Sequence, residues 1–123
     1  MRRVVVTGMG VISPVGNDLE SFWNNLTEGK NGVGMITRFD TTEQKVKVAA
    51  EVKDFEPTKY IEKSQVRKTD LFAQYALAAA VQAMEDAGLK SGENIDAERL
   101  GVYVGSGTGG INTITEQCNK FAQ

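Results

Sequence analysis

The side chains that carry most covalent and metal chemistry in proteins are nearly missing from this sequence. It has 123 residues, no histidine and one cysteine, Cys118. A Ser-His or Cys-His nucleophile pair therefore cannot form within the chain. A histidine metal site is excluded, and one thiol cannot build a zinc cluster. Cys118 lies in phase with Ile114 and Phe121 on an apolar helical stripe, so it reads as a packed small hydrophobe and not as a nucleophile. A lone cysteine also agrees with a reducing compartment.

Three other groups have spacings that could serve binding. Val5-Val6-Thr7-Gly8-Met9-Gly10 follows an apolar run, as a dinucleotide fingerprint does. But the third glycine position holds Ser13, and Pro14 and Gly16 delay any helix to about Asp18. A pyrophosphate site needs the helix to open directly from the glycines, so a tight structural turn is the stronger reading. Gly105-Ser106-Gly107-Thr108-Gly109-Gly110 follows another apolar run. Two readings stand: a loop whose backbone approaches a ligand, with Thr108 supplying the side chain, or a tight crossover under a neighbouring element. It lacks the lysine of a phosphate-binding loop. Lys59, Lys63, Arg67 and Lys68 would share one face of a helix. Such a face docks an acidic partner or is simply solvated, and the bare pattern favours solvation.

The elements that must position these groups alternate. Residues 3–7 read as a strand buried on both faces, Leu100–Val104 as another strand, and Val46, Val48, Ala50 and Val52 as a half-exposed strand of period two. Asp18 caps a short amphipathic helix that Gly29 ends, and Gly32 and Gly34 mark a loop. Residues 70–87 form the strongest helix, apolar around almost its whole circumference and hence expected to be buried all round, with Gly88 as its stop. A last helix runs from Ile111, with Thr113 and Glu116 as a capping box, and no C-cap precedes the last residue. The order implies α/β. The net charge of -2 gives no basis for nucleic-acid binding, and no apolar run is long enough to span a membrane. A soluble, cytoplasmic protein is the expectation.

Taken together, the segments resemble the start of the β-ketoacyl-acyl-carrier-protein synthases, the condensing-enzyme or thiolase-like family, especially the type II elongating class. The matching pieces are residues 2–16 (Arg2 to Gly16), Phe39-Asp40-Thr41, Val52-Lys53-Asp54-Phe55, Arg67-Lys68-Thr69-Asp70, Gln74-Tyr75, Ala83 to Gly88 and Gly101 to Gly110. The resemblance implies a thiolase-like α-β-α-β-α layered fold, here incomplete, with residues 1–123 as a truncated part of the family's N-terminal domain. It implies an acyltransferase of fatty acid elongation that condenses acyl and malonyl-acyl-carrier protein through a cysteine and two histidines, without cofactor or metal. None of those three residues matches a position here, so no catalytic residue is assigned and the chain alone is expected to be inactive. Lys63, Arg67 and Lys68 would meet the acidic acyl carrier protein. Gly107 and Thr108 would line the acyl pocket near the interface of a homodimer. The alternatives are a non-catalytic chain-length partner subunit of the same fold and, further off, a small nucleotide-binding module.

Overall fold

The computed structural model describes residues 2–122. Two compact units emerge, Gly10–Phe55 and the pairing of Met1–Met9 with Glu56–Gln123.

In the Gly10–Phe55 unit, Ser13 and Gly16 close a turn around Pro14 and Val15 by paired backbone bonds of 2.9 and 3.2 Å. Helix α1 follows, Leu19–Thr27, with the Asp18 carboxylate accepting from the Ser21 N–H at 2.7 Å. Its end has the paired closing bonds that a left-handed glycine permits: Gly29 N–H to the Leu26 carbonyl, and Lys30 N–H to the Asn25 carbonyl. Gly29 has φ +70, a conformation costly for other residues. Strands β1, Val33–Met35, and β2, Val48–Ala50, form an antiparallel pair with Met35 opposite Val48. The β2 strand was expected from its alternation. The β1 strand was not, because Gly32 and Gly34 read as loop, yet Gly34 sits opposite Ala49 inside the ladder.

The other unit is built around α3, Leu71–Asp86, which the sequence places within a residue or two. Asp70 caps its start, and Gly88 at φ +64 ends it with the same pair of bonds as in α1. A 3₁₀ turn, Pro57–Lys59, and a single-turn helix α2, Lys63–Val66, precede it. Helix α4 covers Ile111–Phe121, and Ala122 is its C-cap.

Several expectations are corrected here. Residues 3–7 and Leu100–Val104 belong to no strand and are exposed. A strand exists only through a ladder of partners, and among the described residues neither run has one. The apolar circumference of α3 is not buried all round: only Gln74 and Ala78 are buried, while Phe72, Leu77 and Met84 are exposed. Cys118, Ile114 and Phe121 are exposed as well, so the stripe on α4 is not packed within this chain. The basic segment is no continuous helix, since the chain turns between Lys59 and Lys63. Thr113 makes no capping box with Glu116. It is the third residue of α4, and Asp70 caps it from 43 residues away.

Candidate functional site

The glycines at the first turn serve packing. A Cβ on Gly8 would lie 2.3 Å from the Ala83 carbonyl oxygen and 2.7 Å from the Ala87 Cβ, so only glycine fits this close to α3. The next residue, Met9, donates its N–H to the Asp86 carboxylate at 2.9 Å. No helix opens from these glycines, since α1 begins at Leu19. The space a nucleotide phosphate would need beside Gly8 is taken by the last turn of α3.

The basic residues divide. Lys59 lies in the 3₁₀ turn with Glu56 4.0 Å away, both exposed. Lys63 opens α2, Arg67 is its C-cap and Lys68 follows. All three are exposed, and among the described residues none pairs with a carboxylate within 4.0 Å. The backbone that carries Arg67 and Lys68 is held from beneath. Gln74 is the one buried polar residue of α3, and its Nε2 donates to the Val66 carbonyl at 3.0 Å and the Thr69 carbonyl at 2.8 Å. These two carbonyls flank the Arg67-Lys68 pair. The Tyr60 hydroxyl accepts from Gln82 of α3 at 3.1 Å, and Ile61 is buried beside it in sequence. Residues 60–69 are thus fixed to α3 by polar bonds and one apolar anchor, while their cationic heads stay in water. Fixed, unpaired cations are suited to meet an acidic surface.

The Gly105–Gly110 loop is largely exposed, and Gly107 would admit a Cβ without meeting any atom. Thr108 is exposed. Gly109 takes φ +73 and donates its N–H to the Ser106 Oγ at 3.0 Å. Upstream, Val102 and Val104 line an open apolar groove of about 350 Å³ with Phe72, Ala76, Leu77 and Ala80. Downstream, the loop runs into α4 at Asp70. The Asp70 carboxylate accepts from the Thr113 N–H at 3.0 Å, the Thr113 hydroxyl at 2.8 Å, the Leu71 N–H at 2.6 Å and Asn112 Nδ2 at 3.4 Å. These bonds, led by the one from the Thr113 backbone, hold its carboxyl below the usual aspartate range.

Neither Asp70 nor Gln74 was singled out from the sequence as a site residue. For Gln74 a signal existed, since a glutamine amid Phe72, Ala73, Tyr75 and Ala76 must satisfy its amide if the face is buried. For Asp70 the visible signal was only its N-cap position. Among the described residues no cluster of His, Cys, Asp and Glu is arranged to hold a metal ion. Nor, among the described residues, is any helix long and apolar enough to cross a membrane.

The backbone defines a class before any sequence comparison does. Over 99% of its length the chain superposes on the ishigamide ketosynthase/chain length factor, with a TM-score of 0.79, 37% identity and 31% of that chain covered. A type II PKS ketosynthase structure, solved with its acyl-carrier protein, matches at a TM-score of 0.76 and 28% identity. The chain therefore follows part of the thiolase-like fold. Residues 1–122 match the family model for the β-ketoacyl synthase N-terminal domain, and the chain belongs to that family. It is 51% identical over 113 residues to the 3-oxoacyl-[acyl-carrier-protein] synthase 2 of Vibrio harveyi, covering 92% of this chain and 27% of the relative. The corresponding synthase of Synechocystis is 42% identical over 116 residues, 94% of this chain and 28% of the relative. The chain thus spans little more than a quarter of the length of the curated relatives it matches.

Proposed function

We propose that this chain is the N-terminal portion of a 3-oxoacyl-acyl-carrier-protein synthase of fatty acid elongation, the opening part of the family's N-terminal domain. The observation that carries the reading is the family match over residues 1–122, joined to about half identity with synthases of that name. The chemistry is a decarboxylative Claisen condensation. A cysteine thiolate first takes the acyl group from acyl carrier protein as a thioester, and the carrier's thiol leaves as its own C–S bond breaks. Loss of CO₂ from malonyl-acyl-carrier protein leaves a carbanion, which attacks the thioester carbon. The new C–C bond forms as the C–S bond breaks and the thiolate leaves. No residue of this chain serves as that thiolate: Cys118 has no histidine partner anywhere in the sequence, so the chain alone does not turn over.

What these residues contribute is recognition. Lys63, Arg67 and Lys68 form part of the docking face for the acidic acyl carrier protein, and their lack of ion pairs among the described residues supports this. Gly107 and Thr108 belong to a loop lining the acyl pocket, close to the interface of a homodimer. A non-catalytic partner subunit is the second reading, favoured by the likeness to a ketosynthase/chain length factor.

A chimera tests the proposal. Residues 1–122 replace the matching region of the Vibrio harveyi synthase, and condensation is assayed with acyl- and malonyl-carrier proteins. The expected result is turnover by the chimera and none by the isolated chain. A folded chimera without activity would overturn the synthase reading in favour of the partner subunit. Turnover by the isolated chain, abolished by Cys118→Ala, would reinstate that thiol as a nucleophile.

A further inference from the structure

We infer that Asp70 is a positioning residue for the Gly105–Gly110 loop, its single carboxylate tying the start of α4 to the start of α3. The loop cannot hold itself in place. Four of its six residues are glycine, a residue with the largest conformational freedom to lose. Gly105 and Gly107 would each admit a Cβ into open space, so no neighbour confines them. The internal bond from Gly109 to Ser106 closes a turn but fixes it to nothing outside the loop. Upstream, Val102 and Val104 meet α3 only across the open apolar groove, and apolar contact is non-directional.

The downstream end differs. The N-cap of α4 is Gly110, which has no side chain to cap the helix, so N–H groups of its first turn need an outside acceptor. Asp70 supplies it through the Thr113 N–H and Oγ1. The same carboxylate accepts from the Leu71 N–H with its other oxygen. One negative charge thus faces the positive ends of two helices, each of which favours an anion there. Gly110 is part of the fit: a Cβ at that position would stand 3.0 Å from Asp70 Oδ2 and press on the bond network. Thr108 lies two residues before Gly110, so its place relative to α3 is set through this tether. Asp70 also directly follows Thr69, whose carbonyl Gln74 holds, so the basic pair and the glycine loop share one rigid origin on α3.

Any effect on acyl recognition rests on the proposal that the loop lines the acyl pocket, and the experiment separates the two. Amide hydrogen exchange is followed by mass spectrometry in the full 123-residue chain. The wild-type segment 111–115 should be protected. Asp70→Ala should speed its exchange about ten- to thirty-fold, the scale of losing a helix cap together with a second hydrogen bond. Asp70→Asn keeps an acceptor but loses the charge and should fall between. Helix α1, in the other unit, should be unchanged. Should Asp70→Ala unfold the chain, Thr113→Val decides, because it removes one donor and leaves the α3 cap intact. It should speed exchange about two- to three-fold. An unprotected wild-type segment, or unchanged exchange in Thr113→Val, would overturn the tether. In the chimera, Asp70→Asn should change the ratio of rates with long and short acyl donors about three-fold or more. Faster exchange with an unchanged ratio would keep the tether and remove the loop from the acyl pocket.

Discussion

Replacing Val4, Val6, Val102 and Val104 together by threonine should weaken self-association of the isolated chain. Val4, Val5, Val6, Val102 and Val104 are between 69% and 95% exposed, and Leu100 is half exposed. Their exposed fractions amount to between four and five fully bare side chains. Burying such a side chain is worth roughly 1.5–3 kcal/mol, so about 7–13 kcal/mol of burial is unrealised in these two runs. That is the size of the whole stability of a typical domain, about 5–15 kcal/mol. That gain is on the scale of the roughly 4–15 kcal/mol lost in association, and two partners that cover each other's runs gain it twice, so the chain should assemble with itself or with further protein. The unpaired backbone of both runs adds a template for strand pairing. Threonine keeps the branched shape and its fit to a strand but places a hydroxyl where a methyl was, at roughly 0.5–2 kcal/mol for each site that becomes buried. Four sites sum to about 2–8 kcal/mol, a rise in the dissociation constant of roughly 30-fold or more. Sedimentation velocity over a concentration series reads this directly, with circular dichroism confirming that the helices persist. A wild-type chain that sediments as a monomer at about 100 µM and melts cooperatively above about 50 °C would refute the reasoning. It would mean that the two runs are covered within the chain.

Three further outcomes are expected. In the chimera, Arg67→Glu with Lys68→Glu should lower the association rate with acyl carrier protein about ten-fold or more at low salt and flatten its salt dependence; an unchanged on-rate would leave these residues a solvated face. Gln74→Leu removes both bonds that flank this pair and should cost about 1–3 kcal/mol for each carbonyl left without a partner, with faster tryptic cleavage after Arg67 and Lys68 as the local readout. Asp18 and Asp70 are both held below the ordinary aspartate value of 3.8, Asp18 chiefly by the Ser21 backbone N–H and Asp70 chiefly by that of Thr113. A depressed folded-state value adds stability that is fully present above the unfolded value and lost as pH falls through the folded one. Acid unfolding should therefore set in below about pH 4 and become shallower in Asp18→Asn and Asp70→Asn, and unchanged acid profiles in both would refute the assignment.

Helices were the legible part of this protein. Asp18 and Gly29 bracket α1, and Gly88 stops α3, because a helix closes its bonds within four residues and its caps lie in adjacent sequence. The family, too, was legible, from ordered motifs spread over nearly the whole chain. The absence of histidine and the single cysteine needed only a count. Strands were not legible in the same way. Val46 to Val52 announced β2 by alternation, yet its partner was a Val-Gly-Met segment that no local rule marks as a strand. Residues 4–6 and 102–104 have strong strand composition and, among the described residues, no ladder, since pairing is decided by distant chain and not by propensity. The site followed the same division. The exposed cations could be listed from the sequence, but that Lys59 departs from them required the turn at Tyr60–Glu62. The tertiary structure alone made Gln74 the support beneath Arg67 and Lys68, and Asp70 the cap of a helix 43 residues away. A side chain's local role follows from its neighbours in sequence; its second partner depends on which segments the fold brings within hydrogen-bond reach.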